Sequence, residues 1–380
     1  MTIWQPAGNT APRRSLCLLV TSTALFEPIT LRDVAVPNRI WLAPMCQYSC
    51  FAGDGVPTDW HLTHLGARAA GGFGLILTEA AAVVPEGRIS AHDAGLWNDD
   101  QAAAWRRIVD FVHSQGSVIG TQLAHAGRKA STYAPFDDRS GAIPLDDGGW
   151  TTFGPSDVAF EGLPAPTAMT TDQIAEVVNA FAQAARRADD AGFDVVEIHA
   201  AHGYLLHQFL SPLSNQRTDA YGGDFDGRTR LTLEVADAVR AVWPSSKPLF
   251  IRVSGTEWTE GGWDVEESAR LAALLAGRGV DLVDVSSGGN VLADIPVGPG
   301  YQVDLARSIH RESGVPTAAV GLITEPDQAE KIAGDDDITA VFFGRVALRE
   351  PSWPLRAAHE LGIERREAPY PPQYQRGSWH

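Results

Sequence analysis

The order of short β-branched runs and longer helical segments predicts an α/β fold: a single (β/α)8 barrel with a long loop excursion after its third strand and an extended C-terminal tail. Three observations lead there. Eight short apolar runs recur, at 39–45, 74–80, 117–124, 195–200, 249–254, 282–287, 317–322 and 339–345, and segments with helical period such as 100–115, 171–191 and 264–278 lie between them. The runs end in residues that a plain strand terminus would not need, among them Met-Cys-Gln-Tyr, Gln-Leu-Ala-His, His-Ala-Ala-His and Gly-Arg. In a barrel of this kind those ends converge on one face, where sites are built. An open doubly wound sheet would also alternate, but it calls for a Gly-x-Gly-x-x-Gly turn after an early strand, and none is present.

Composition narrows the class of ligand. The 380 residues are 44% hydrophobic and 20% charged, enough to bury a large core. The formal net charge of -17 repels nucleic-acid phosphates and anionic membrane surfaces, so small molecules are the expected ligands and neither nucleic acid nor membrane is an expected partner. Cys17, Cys46 and Cys50 are the only cysteines, too few and too clustered for a disulfide framework, which predicts a reducing, cytoplasmic setting. The apolar run within 13–26 is short and broken by Thr21, Ser22 and Thr23, unlike a secretory leader. Residues 1–24 read as a poorly ordered extension, 25–362 as the barrel and 363–380 as a tail, its Pro-Tyr-Pro-Pro string being unable to continue a helix. The stretch 131–170, rich in Gly, Pro and Asp, reads as the loop after the third strand.

The sharpest local signal follows the fourth run. His199 and His202 stand three apart with Tyr204 close behind. Two imidazole N–H groups aimed at one oxygen would polarise a carbonyl, and the phenol is a candidate proton donor. The alternatives are capping or core histidines, or metal ligands; the last would need further ligands, with His207 near in sequence but no carboxylate set in view. At the end of the first run Cys46 and Tyr48 are two apart, so an extended backbone would aim both the same way; a buried thiol is as often a small apolar filler. Arg252 lies inside an apolar run and must meet either a carboxylate such as Glu197 or an anionic ligand. Gln122 is an amide in a similar position. Gly288, Gly289, Gly321, Gly344 and Arg345 end the last three runs, where barrels commonly hold phosphate on backbone N–H groups.

Together the strings Ala43-Pro-Met-Cys-Gln-Tyr48, Gln122-Leu-Ala-His-Ala-Gly-Arg-Lys129, Glu197-Ile-His-Ala-Ala-His-Gly-Tyr204, the run from Phe209 to Gly223 and Phe343-Gly-Arg345 resemble the Old Yellow Enzyme family, in its YqjM-like, xenobiotic reductase-like bacterial branch, over residues 25–377. The resemblance implies a tightly bound FMN with NADPH or NADH as reductant. It places the phosphate at Gly344 and Arg345 near Gly321, and Gln122 and Arg252 at the pyrimidine ring. Pro44, Met45 and Ala80 would lie along the isoalloxazine, Cys46 would tune its potential, and Tyr48, His199 and His202 would hold a substrate carbonyl while Tyr204 delivers a proton. It implies an ene-reductase acting on α,β-unsaturated carbonyl compounds in two half-reactions. It also implies a homodimer or homotetramer in which Arg376 enters the adjoining subunit's site. The lack of any cysteine after Cys50 argues against the related enzymes that add an iron–sulfur cluster. Ala43 stands where serine is frequent, the loop at 146–150 is longer than usual, and residues before 25 have no counterpart in the family pattern.

Overall fold

The computed structural model describes residues 23–379. Cys17 and nearly all of the 1–24 extension lie outside the described residues. Eight parallel strands close into a barrel: β1 (Ile40–Leu42), β2 (Leu75–Ala82), β3 (Val118–Ala124), β4 (Val195–Ala200), β5 (Leu249–Ser254), β6 (Leu282–Ser286), β7 (Thr317–Ala319) and β8 (Ala340–Phe343). Each pairs with the next in sequence, and β8 pairs with β1 through Phe342 opposite Trp41. The eight expected runs are these eight strands. Several are shorter than the runs, because the motif residues at their ends have already left the sheet.

Helices α1 (Asp59–Ala70), α2 (Asp99–Ser114), α3 (Thr171–Ala191), α4 (Phe225–Arg240), α5 (Val265–Ala276), α6 (Val303–Ser313), α7 (Pro326–Ala333) and α8 (Trp353–Glu360) follow the strands in turn. Their starts are written locally. Thr58, Asn98 and Thr170 form capping boxes with His61, Gln101 and Gln173, and Asp224 and Asp264 cap α4 and α5 through their carboxylates. Among the described residues no helix is long and apolar enough to cross a membrane.

The period-two alternation of the strands divides the core. Ile40, Ile76, Ile119, Val196, Ile251 and Val341 pack outward against the helices. Trp41, Leu75, Val118, Val195, Phe250, Leu282 and Phe342 point inward and fill the barrel's lower part. There Trp41 stacks on Phe250 with ring centres 5.8 Å apart and meets Phe342 edge-on at 5.3 Å. A hairpin of Ile29–Leu31 and Val34–Val36, which no sequence pattern marked, sends Leu31 and Val36 into the same cluster and closes the bottom. Higher up, the inward positions become polar: Gln122, Glu197, Arg252 and Asp284. The apolar layer is therefore the floor on which the polar layer stands.

The 131–170 excursion is a folded loop with a short parallel strand pair, Phe153–Gly154 and Thr167–Ala168. Arg128 bonds to Val158 O (3.0 Å) and Asn290 O (2.5 Å), and Arg217 bonds to Pro155 O (3.0 Å) and Met169 O (2.6 Å), tying the loop to the barrel top. The C-terminal tail runs the other way. Pro369 to Gln373 share a cavity with Asn38, Gly72 and Ser117, which precede β1, β2 and β3. The tail thus lies at the barrel end opposite the mouth.

Candidate active site

The mouth is built from strand ends in register. Gln122 faces Glu197 and donates Nε2–H to its Oε1 at 2.8 Å. Arg252 lies opposite both His199 and Asp284, and its Nε is 3.0 Å from Asp284 Oδ2. The ionic partner of the embedded arginine is therefore Asp284 on β6, with Glu197 in the same field. Two carboxyls and one guanidinium, all buried, leave one negative charge too many. Burial raises both carboxyls, and Asp284 pushes Glu197 up further, so Glu197 is the one that retains a proton. The Arg252–Asp284 contact is an ion pair without hydrogen-bond alignment at Nε, and Glu197 Oε2 likewise has no hydrogen-bond partner among the described residues.

Past β4 the chain turns sharply. His202 has φ of 58° and Gly203 of 70°, and a Cβ on Gly203 would sit 2.2 Å from Gly289 O. A Cβ on Gly289, φ 93°, would meet His202 Cα at 2.7 Å, so the two glycines let the β4 and β6 loops touch backbone to backbone. His207 accepts from Gly203 N–H (2.9 Å) at Nδ1 and faces buried Glu257 at 3.0 Å, which makes it a brace for the turn.

The turn brings His199, His202 and Tyr204 together. His199 Nε2 is 3.4 Å from His202 Nδ1, and the Tyr204 ring centre is 5.1 Å from that of His199. His199 Nδ1 accepts from Ala201 N–H, which assigns its proton to Nε2; His202 Nε2 lies 2.7 Å from Ser286 Oγ. Burial, then the Arg252 charge, pushes both imidazoles well below the ordinary histidine value, so both are neutral. An oxygen acceptor between them would take the N–H that His199 now shares with its neighbour. The nearest cations, Arg252 and Lys129, make this a poor place for a dication.

No sequence signal assigned Lys129 a role. Its Nζ donates to His202 O and Gly289 O, both at 2.9 Å, and stands 5.1 Å above the Tyr204 ring. Burial, with Arg128 beside it, lowers the ammonium to about 8. Only the joining of the β3, β4 and β6 loops reveals this position.

The loop after β1 is less extended than the spacing of Cys46 and Tyr48 suggested, for Tyr48 has φ of 50°. A bulge in β2 between Leu77 and Ala80 exposes Glu79 to this loop, where it accepts from Gln47 N–H (2.9 Å) and lies 3.0 Å from His61 Nε2. Burial, then Asp93 and Glu79, pushes the Cys46 thiol up, so it is a thiol and not a thiolate. Pro44 and Met45 precede it, and Met45 Sδ comes within 3.9 Å of a Cβ built on Gly344.

Between β7 and β8 a cavity of about 150 Å³ runs from Arg252 past Phe342 to Gly321, Gly344, Arg345 and Arg349. It joins a polar, incompletely paired interior to a glycine-lined, cationic rim. That donor set fits a flat heteroaromatic ring carrying a phosphate, which is the character of FMN. Gly288 and Gly289 lie on the β6 loop beside His202, Ala80 lines a separate small cavity with Tyr204, and Arg376 is exposed in the tail, in the turn Pro372–Gly377.

Comparison with known proteins agrees with this geometry. Residues 24–364 match the model of the NADH:flavin oxidoreductase / NADH oxidase family. The chain is 48% identical over 356 residues to an NADPH dehydrogenase of Geobacillus thermodenitrificans, covering 94% of this chain and 99% of that one. It is 45% identical over 354 residues to an NADPH dehydrogenase of Bacillus subtilis, covering 93% and 98%. Among solved structures it superposes on morphinone reductase with a TM-score of 0.74 at 31% identity, covering 90% of both chains.

Proposed function

Because the chain belongs to the NADH:flavin oxidoreductase family, the Old Yellow Enzyme family, and is an FMN-dependent NAD(P)H oxidoreductase, we propose that it reduces the activated C=C bond of α,β-unsaturated carbonyl compounds in two half-reactions that share one site. The observation that supports this most is the neutral His199/His202 pair beside Tyr204, with His202 bonded to Ser286, which lines the cavity that also reaches Arg252.

When bound, FMN would supply the hydride chemistry that links NADPH or NADH to the alkene. The chain's own groups position and polarise. His199 and His202 donate N–H to the substrate oxygen, Tyr48 lies against the same substrate, and Tyr204 gives its proton to the α-carbon. Gln122 and Arg252 would hold the pyrimidine edge of the cofactor, and Gly321, Gly344 and Arg345 would hold its phosphate side, with Gly288 and Gly289 contributing from the β6 loop. Pro44, Met45 and Ala80 would line the ring, and Cys46, as an uncharged thiol, would tune its potential. Arg376, on a tail that packs away from its own mouth, enters the site of a second copy in a homodimer or homotetramer. Residues 25–362 form the barrel and 363–380 the tail, and the enzyme works in a reducing cytoplasm.

An anaerobic absorption spectrum of the purified protein tests this reading. The flavin band should bleach on adding NADPH and return on adding 2-cyclohexenone. A band that bleaches and stays bleached with the enone would refute ene-reduction.

A further inference from the structure

Asp93, in the loop between β2 and α2, is 2% exposed and belongs neither to the polar layer around Arg252 nor to the histidine turn. One of its oxygens is structural, since Oδ2 accepts from Ile89 N–H at 2.6 Å and closes the loop. The other is not. Oδ1 is buried and has no hydrogen bond among the described residues, a costly arrangement unless something else occupies it. Asp93 lines a cavity of about 10 Å³ whose other walls include Tyr204, Ala80, Ala124 and Gly87. That volume is close to the minimum that holds one water. The Tyr204 hydroxyl makes no hydrogen bond among the described residues and, unlike Asp93 Oδ1, is not one of the fully buried unpaired atoms. Asp93 and Tyr204 therefore both line a space of one-water size, and its other walls are apolar.

We propose that Asp93 is the proton reservoir of the site, returning a proton through one water to the Tyr204 phenolate left when Tyr204 has protonated the substrate. This rests on the ene-reductase reading. The Tyr204 O–H bond breaks as a C–H bond forms on the substrate. The Asp93 O–H bond then breaks, the water passes a proton on, and the Tyr204 O–H bond reforms. Bulk water restores the proton to the carboxylate.

The surroundings suit a carboxyl that holds its proton. Burial and then Glu79 on β2 push Asp93 up to about 8, while the backbone N–H groups of Ile89 and Ser90, and then Arg88, all in its own loop, pull it down. Cys46, Tyr48 and Cys50 on the β1 loop and Tyr204 on the β4 loop are the other titratable groups in its field, and His125 lies behind Gly87. None of them is a cation at neutral pH, since burial lowers His125 to about 4.

The experiment uses the FMN-loaded enzyme in anaerobic stopped flow with NADPH and 2-cyclohexenone, comparing wild type, Asp93→Asn and Asp93→Glu. The ratio of the reoxidation rate to the reduction rate should fall about tenfold in Asp93→Asn, a fraction of a full general-acid effect, and recover in Asp93→Glu. The wild-type reoxidation profile should fall off near pH 8, and Asp93→Asn should lose the Asp93 part of that limb while Lys129, also lowered to about 8 above the Tyr204 ring, keeps its own. A second readout needs no turnover. In protein labelled with 13C at aspartate carboxyls, the Asp93 resonance, identified by its loss in Asp93→Asn, should titrate about half a pH unit or more differently in Tyr204→Phe. An unchanged rate ratio in Asp93→Asn, or an Asp93 titration indifferent to Tyr204→Phe, overturns the proposal. Failure of wild type to reoxidise with the enone would instead refute the ene-reductase reading, while the carboxyl titration would still report the Asp93–Tyr204 link.

Discussion

Glu197 and Asp284 look equivalent, each a buried carboxyl on a strand beside Arg252, yet replacing them by their amides should move stability in opposite directions. Asp284 is 0% and Arg252 7% exposed at their side chains, and Nε and Oδ2 are 3.0 Å apart. Asp284→Asn leaves a buried guanidinium without its ionised partner, and breaking such a pair costs roughly 3 to 5 kcal/mol. Glu197 is different because it enters the folded state protonated. A carboxyl that keeps its proton when folded at pH 7, but ionises when the chain unfolds, opposes folding by on the order of 3 kcal/mol. Glu197→Gln removes that penalty while preserving an oxygen for Gln122, and no hydrogen bond of the other carboxyl oxygen is lost, since Glu197 Oε2 has no partner among the described residues. The sign follows from a raised folded-state value. The contribution of Glu197 is complete below the usual glutamate range and is lost as pH rises toward its folded value, so Glu197→Gln should also flatten the decline of stability with pH. Urea unfolding of FMN-saturated protein at pH 7 reads both effects, with Asp284→Asn lowering the midpoint and Glu197→Gln leaving it unchanged or higher. Equal losses in the two variants would refute the assignment of the proton to Glu197.

The β4 turn offers a second check. Gly203→Ala forces a Cβ to within 2.2 Å of Gly289 O at a φ of 70°, so it should cost at least about 2 kcal/mol by thermal unfolding and weaken binding of phenol-type ligands through displacement of His202. With both imidazoles held neutral by burial and by Arg252, phenol-ligand affinity should show no histidine inflection between about pH 6 and 8. His199→Ala or His202→Ala should each weaken that binding about tenfold, the value of one lost hydrogen bond; an intact affinity in either would remove that residue from the substrate site. Arg376→Ala should raise the KM for the enone without altering bleaching by NADPH. An unchanged KM would leave the tail without a part in a neighbour's site.

How much of this was legible beforehand differs by kind of feature. Strands at 195–200 and 249–254 and the helix at 171–191 stand where the sequence pattern placed them, because alternation, helical period and caps such as Thr170 are local and act through neighbours a few residues apart. The His199–Tyr204 cluster was legible for the same reason, its members being contiguous. Short elements were not. The 29–36 hairpin is too brief to show a pattern, and the Leu205–Leu210 helix is buried on every side, so it has no polar face to betray its period.

By itself the sequence determined a closed α/β barrel, the side of it that carries chemistry and the residue types gathered there, since each strand end carries its own functional group. The tertiary structure decided which of those groups meet. The sequence offered Arg252 a carboxylate such as Glu197 or an anionic ligand, and the register of β5 against β6 brought Asp284 to it. The bulge in β2 turned Glu79 onto the Cys46 loop, and three loops joined to put Lys129 over Tyr204. Such pairings depend on stagger between strands far apart in sequence, where a shift of one residue would point every side chain the other way.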